Sequence, residues 1–163
     1  MLKSIGVSLG SLGGIPSSEK GTPNGVATLG TDGKIPASQT VYASSDAVNQ
    51  SANISATTIY AVPAGRGGLY RVSAYGVVTQ AATTSSTLPN IGVLWTDNDT
   101  NVALLANTMT PTNSANALGA FSPGDQVISV REGTNIQFQT SNYASSGATP
   151  MQYAVHLRVE FLG

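Results

Sequence analysis

The C-terminal segment of the chain alternates apolar and polar side chains with a period of two. The apolar side chains are those of Tyr153, Val155, Leu157, Val159 and Phe161. The residues between them include His156, Arg158 and Glu160. A period of two is the geometry of a β-strand, whose successive side chains point to opposite faces. The segment therefore predicts a strand with one face in a core and the other at solvent or at an interface.

Similar segments recur from Asn53 onward and are separated by residues that favour turns. The predicted strands cover residues 54–62, 69–80, 91–96, 102–109, 126–131, 135–140 and 152–161. Glu132-Gly133 lies between two of them and indicates a hairpin. About seven or eight strands with recurring turns, and no helical pattern, predict an all-β antiparallel sandwich.

The first 50 residues have a different character and predict an extended N-terminal arm in front of a β-sandwich of residues 51–163. The turn sequences Pro23-Asn24-Gly25 and Thr31-Asp32-Gly33 favour positive φ, which Gly adopts without strain. Residues 43–52 are small and polar and predict a hinge into the sandwich. By composition alone the arm is also compatible with a flexible linker, which is the alternative interpretation.

Within this arm, residues 24–39 read NGVATLGTDGKIPASQ. This segment resembles a motif that recurs in bacteriophage fibre and virion structural proteins, usually just before a β-structured head domain. The residues that carry the resemblance are Asn24, Gly25, Val26, Ala27, Thr28, Leu29, Asp32, Gly33, Lys34, Ile35, Pro36 and Gln39. In that family the segment serves attachment or trimer organisation. The resemblance therefore implies a homotrimeric virion appendage or decoration.

The sequence departs from the family pattern at two places. Gly30 stands where the family often has Asp, and Thr40-Val41 stands where Leu-Pro is common. The second departure leaves the exit from the motif undefined. In the sandwich region, Pro123-Gly124-Asp125 followed by a strand, together with the apolar C-terminal strand, is similar to jelly-roll domains of the tumour-necrosis-factor and C1q type. Those domains are often trimers, so this similarity also implies a jelly-roll-like trimer.

Composition narrows the function classes. Only 9% of the residues are charged and the net charge is −1, so the surface lacks the repulsion that keeps monomers apart. The few Lys and Arg residues are scattered, which disfavours nucleic-acid binding. There is no cysteine, no apolar run that predicts membrane insertion, and no signal-peptide pattern at the start. We expect synthesis in the host cytoplasm and no cofactor.

Catalytic and metal-binding patterns are weak. His156 is the single histidine, and its expected place is a surface or a subunit interface. No two acidic residues have a spacing that indicates a catalytic pair for glycoside hydrolysis. Asp97-Asn98-Asp99 offers oxygens for Ca²⁺, but it lacks the EF-hand spacing, and an Asx turn is favoured. The expectation is a protein that is not an enzyme and has no metal site.

We expect a non-enzymatic virion protein, either a homotrimeric capsid decoration (cement) protein or a head fibre, anchored by its arm. Its partners would be its own copies and the major capsid protein or another virion protein. The alternative is a short tail fibre that binds host-surface glycans through the loops at residues 83–87 and 141–149. Trp95 and Tyr153 lie on apolar faces and are expected in the core, whereas Tyr143, in the second loop, is the candidate for a surface contact.

Overall fold

The computed structural model describes residues 43–109 and 117–163, and strands dominate both ranges. Within these ranges there are ten strands and no helix, so the predicted all-β class is confirmed. In chain order the strands are β1 (Ala43–Gln50), β2 (Thr57–Ala61), β3 (Gly68–Gln80), β4 (Ser85–Thr87), β5 (Asn90–Thr96), β6 (Ala103–Met109), β7 (Gly119–Val130), β8 (Asn135–Ser141), β9 (Ala144–Ser146) and β10 (Gln152–Phe161).

The strands form two four-stranded antiparallel sheets and a small ribbon. Sheet I has the order β1-β10-β3-β7, sheet II has the order β2-β8-β5-β6, and the ribbon pairs β4 with β9. If the ribbon is set aside, the strands pair from the ends of the sequence inwards: β1 with β10, β2 with β8, β3 with β7 and β5 with β6. This nested pairing is the strand order of a jelly roll, as predicted.

The core lies between the inner faces of the two sheets. Sheet I contributes Tyr70, Val72, Tyr153, Val155, Leu157 and Val159, and sheet II contributes Ile91, Val93, Ile136 and Phe138, all with at most 1% of their surface exposed. The alternation predicted for β3 and β10 is therefore confirmed. Full burial of side chains of this size stabilises the fold by about 1.5–3 kcal/mol each.

One chain of hydrogen bonds crosses this apolar core. The Ile54 amide donates to Thr140 Oγ1 (2.7 Å). Thr140 Oγ1 lies 2.8 Å from Tyr153 Oη, which donates to the Ala52 carbonyl (2.7 Å). Tyr153 has one hydroxyl proton, so Thr140 is the donor between the two hydroxyls. Each polar group in this series of hydrogen bonds has a partner, so its burial costs little free energy. The series joins β10 of sheet I to β8 of sheet II.

The turn at Glu132-Gly133 exists, but the predicted hairpin is wrong. Its flanking strands β7 and β8 belong to different sheets, so the turn carries the chain across the sandwich. Gly133 has a φ of 72°, and Thr134 Oγ1 donates to the Arg131 carbonyl (2.7 Å). Turn chemistry predicts a reversal of the chain, but it does not say which strand each arm pairs with.

The predicted hinge at residues 43–52 is also corrected. Ala43–Gln50 is β1, an edge strand that pairs with β10 from Ala43 opposite Val159 to Gln50 opposite Tyr153. The sandwich thus includes residues 43–50 in addition to the predicted range. Ala43 and Ala47 pack against the core, and such small side chains produce only a weak alternation in the sequence. The pairing therefore comes from β10, whose free edge β1 covers.

Pro123-Gly124-Asp125 lies inside β7 rather than before a strand. Gly124, with a φ of 100°, is opposite Ala74, and the register between β7 and β3 shifts just beyond this point. A residue with positive φ next to a register shift is a β-bulge. The predicted strand at residues 126–131 therefore corresponds to the second half of a longer, bulged strand.

Candidate interaction surfaces

The outer face of sheet I carries charged and apolar side chains side by side. We call this surface the sheet I face and define it by Asp46, Leu69, Arg71, Tyr75, Val127, His156, Arg158 and Glu160. The strand register places these residues together. Arg71 is opposite both Glu160 and Val127, and His156 is opposite both Tyr75 and Asp46. These residues alternate along their strands with buried residues, so their side chains all point outwards.

The charges on this face are paired. Asp46 Oδ1 lies 2.8 Å from His156 Nδ1 and 3.2 Å from Arg158 Nη1, and Arg71 Nη1 lies 3.4 Å from Glu160 Oε2. The hydrogen bonds from His156 and then from Arg158 lower the pKa of Asp46. Because these side chains are about half exposed, each pair contributes well under about 1 kcal/mol. The pairs neutralise and order the face more than they stabilise the fold.

Beside the paired charges lie apolar side chains that the fold leaves in solvent. Leu69 is 46% exposed, Tyr75 is 44% exposed and Val127 is 55% exposed. Leu69 and Tyr75 lie on the outward side of β3, and Val127 lies on the outward side of its neighbour β7. An apolar surface among neutralised charges is the composition of a protein contact rather than of a freely solvated sheet.

His156 lies on this face, in agreement with its predicted place on the polar side of the strand. Its ring centroid is 6.1 Å from that of Tyr75, and its hydrogen-bond partner is Asp46. A His–Asp pair is two parts of a hydrolytic triad. Among residues 43–109 and 117–163, no serine or threonine hydroxyl hydrogen-bonds to His156. The hydrogen bond between His156 and Asp46 joins β10 to β1.

Asp97 forms the Asx turn that the sequence favours. Its Oδ1 accepts hydrogen bonds from the Asp99 amide (3.1 Å), the Thr100 amide (2.9 Å) and the Thr100 hydroxyl (2.9 Å). The bond from the Thr100 amide is the main cause of a lowered pKa at Asp97. In the part of the chain that the structure describes, no three His, Cys, Asp or Glu side chains are grouped so that they could hold a metal ion.

The two loops proposed for glycan contact meet in space. Residues 83–87 and 141–149 contain β4 and β9, which form the ribbon. Ser85 Oγ lies 2.6 Å from Ser146 Oγ, and the Thr149 amide donates to Thr83 Oγ1 (2.9 Å). A Cβ on Gly147 would lie 2.7 Å from Thr84 Oγ1, so the loops approach as closely as a glycine allows. Sequence reasoning named both loops but had no signal for their pairing.

The ribbon stands at one end of the sandwich. At this end Gln80, the last residue of β3, pairs with Gln152, the first residue of β10. The opposite end holds Ala43, which pairs with Val159 near the end of β10. The described chain therefore enters the sandwich at one end and presents a surface of serine and threonine hydroxyls at the other.

Tyr143 is not the exposed side chain that was predicted. It is half-buried and packs against the core, with its ring centroid 5.7 Å from that of Tyr153. Its hydroxyl donates to the Met151 carbonyl (2.6 Å), so the residue anchors the loop that carries β9. Tyr153 is fully buried, as predicted, and Trp95 is partly buried against the core.

The proposed attachment residues lie outside the described part of the chain. They are Asn24, Gly25, Val26, Ala27, Leu29, Asp32, Gly33, Lys34, Ile35, Pro36 and Gln39. Comparison with known families and curated proteins finds no family and no curated protein that matches this chain. No helix suited to crossing a membrane occurs in residues 43–109 and 117–163. The features that bear on function are therefore the sheet I face, the ribbon and the sequence motif at residues 24–39.

Proposed function

We propose that this protein is a non-enzymatic bacteriophage virion protein, a homotrimeric capsid decoration (cement) or head-fibre protein anchored by its N-terminal arm. The observation that carries the proposal is the sheet I face, where Leu69, Tyr75 and Val127 stay exposed beside paired charges. The arm motif at residues 24–39 supports the assignment to a virion, because it resembles attachment segments of bacteriophage structural proteins.

Low charge favours self-association of the sandwich. With 9% charged residues and a net charge of −1, copies of the chain repel one another weakly. Burying the exposed side chains of Leu69, Tyr75 and Val127 against a neighbouring copy contributes about 25 cal/mol for each Å² of apolar surface removed from water. Three copies around an axis bury this surface in a closed assembly.

The arm would hold the trimer to the major capsid protein or to another virion protein. Capsids that lack the protein should then break at a lower temperature or under milder osmotic stress.

The test is the mass of the full chain in solution, measured by light scattering after size exclusion. Wild type should elute as a trimer. Val127→Asp should dissociate it, because trimer formation would have to remove the new carboxylate from water, whereas in the monomer the carboxylate stays in solvent opposite Arg71. The matched control is Val102→Asp, at a valine of similar exposure, 52% against 55%, away from the sheet I face. A monomeric wild type at micromolar concentration would end the proposal.

A second candidate is a short tail fibre that binds host-surface glycans, and the ribbon favours it. A hydroxyl-rich ribbon at the end opposite Ala43 is suited to contact with a surface. Immunogold labelling of intact virions separates the two candidates. Label over the head supports decoration or a head fibre, whereas label at the tail tip supports the receptor-binding role.

A further inference from the structure

A groove of about 400 Å³ lies on sheet II, far from the ribbon and on a different sheet from the sheet I face. Its centre is Leu94 on β5, which is directly opposite Gln137 on β8 and Leu105 on β6. Asn135, two residues before Gln137, lies on the same outward side of β8. The groove volume falls within the range of small-molecule sites, roughly 300–1,000 Å³.

The side chains of the groove combine apolar and neutral polar groups. Leucines at its centre offer an apolar patch, and around it are two carboxamides and two threonine hydroxyls, contributed by Asn135, Gln137, Thr96 and Thr134. Among the residues that the structure describes, no charged side chain lines it. A carboxamide has both donors and an acceptor, which suits adjacent hydroxyl groups on a ligand, while the leucines suit the C–H face of a sugar ring.

The position of the groove distinguishes between classes of ligand. An added peptide strand needs a free sheet edge, but β5 and β8 are both interior strands of sheet II, whose backbone groups are already paired. The groove therefore offers mainly side-chain groups. A nucleic acid or an acidic glycan needs Lys or Arg. Among the described residues, neither Lys nor Arg lines the groove.

We propose that this groove binds a short neutral oligosaccharide. Leu94 and Leu105 would contact ring C–H groups, and Asn135 and Gln137 would hydrogen-bond ring hydroxyls. Gln137 Nε2 donates to Thr58 Oγ1 (3.3 Å), so its carbonyl oxygen would be the group that accepts from a sugar hydroxyl. The inference does not rest on the homotrimer, since the groove belongs to sheet II and is complete within one chain. It gives the virion surface a contact for uncharged sugars.

The experiment uses the chain's single tryptophan as a local reporter, because Trp95 lines the groove. The full chain is titrated with oligomers of glucose, mannose, galactose and N-acetylglucosamine, and with sialyllactose as the anionic comparison, while tryptophan fluorescence and calorimetric heat are recorded. At least one neutral series should give saturable binding. Gln137→Ala should weaken it about tenfold, the effect of one lost hydrogen bond.

The matched control is Gln139→Ala. Gln139 lies on the same strand and the same side as Gln137, opposite Gly92, but it does not line the groove. Leu94→Ser tests the apolar centre, and urea unfolding of each variant establishes that it is folded. The proposal is overturned if no neutral series binds, if only sialyllactose binds, or if Gln137→Ala and Gln139→Ala bind alike. Light scattering on the same samples separates this result from failure of the trimer.

Discussion

The outer faces of the two sheets share one core but differ in chemistry. The sheet I face carries all three ion pairs found among the described residues, with exposed Leu69, Tyr75 and Val127 beside them. The described residues that line the groove on sheet II offer leucines, amides and hydroxyls and no charge. The core requires only that alternate residues be apolar, so the outward residues of each strand are free to serve different partners. One sandwich can thus support self-association on one side and a neutral ligand on the other.

The largest expected effect comes from removing part of the core that both faces share. Phe138 is 1% exposed on the inner side of β8, and Phe138→Ala should lower the free energy of unfolding by about 3–5 kcal/mol. Its neighbour Gln139 points outwards, and Gln139→Ala should change stability by less than about 0.5 kcal/mol. Urea denaturation measures both. Similar losses for the two variants would contradict the assignment of inner and outer sides.

The next effect concerns the ribbon, which joins two of the connections that cross between the sheets. β4 lies between β3 and β5, and β9 lies between β8 and β10. Gly147→Ala should cost about 2–3 kcal/mol, because a Cβ there would lie 2.9 Å from the Thr84 amide nitrogen at a φ of 107°. Gly133→Ala has positive φ but open space around it, so it isolates the conformational strain. Equal losses by thermal unfolding would show that the close approach is unimportant.

Removing the hydroxyl hydrogen bond between the sheets should cause a smaller loss of stability. Tyr153→Phe keeps the buried ring but leaves Thr140 Oγ1 and the Ala52 carbonyl without the hydroxyl partner that joins them. The cost should be about 1–2 kcal/mol. Tyr75→Phe, on the sheet I face, is the control for loss of a tyrosine hydroxyl at an exposed site. If urea unfolding shows the same stability for Tyr153→Phe and wild type, the link is not stabilising.

The smallest effect is the pH dependence of the sheet I face. The pKa of Asp46 is lowered in the folded state from its ordinary value of 3.8, so its contribution is present above that value. It is lost as the pH falls through the lower folded-state pKa. Asp46→Asn should therefore be slightly less stable than wild type at neutral pH, by well under about 1 kcal/mol, and the difference should close in acid.

The measurement for Asp46 is the unfolding free energy of both proteins from pH 7 down to acid conditions. Asp99→Asn is the control, because Asp99 has no ion pair among the described residues. A difference between wild type and Asp46→Asn that grows as the pH falls would have the wrong sign for a carboxylate stabilised by His156 and Arg158.

Much of the sandwich is predictable from the sequence. The long alternating strands β3 and β10 bury one complete set of large side chains, so their period is clear and their faces follow. β1 and the two three-residue ribbon strands consist mostly of small and polar residues. Their pairing depends on residues distant in the chain, such as Ser85 and Ser146. Local composition does not predict which distant residues will pair.

The candidate surfaces were less predictable than the fold. The polar side of β10, with His156 and Arg158, could be read from alternation, but Asp46 was placed in a hinge and its ion pairs were missed. Tyr143 seemed exposed because it lies in a polar loop, yet its ring reaches back to Tyr153 and its hydroxyl to Met151. The groove joins Leu94, Leu105 and Gln137 from three strands, and no single segment of the sequence contains it.

By itself the sequence determined the class of the fold, because alternation of large apolar residues leaves a strand only one face to bury. It also determined the low charge and the arm motif, which resembles a segment of bacteriophage structural proteins. The tertiary structure decided the partners of each strand, and it turned the expected hairpin at Gly133 into a crossing between sheets. It decided as well which outward residues meet on each sheet. Those choices depend on register between strands far apart in the chain, which is set by the packing of the whole core rather than by any local pattern.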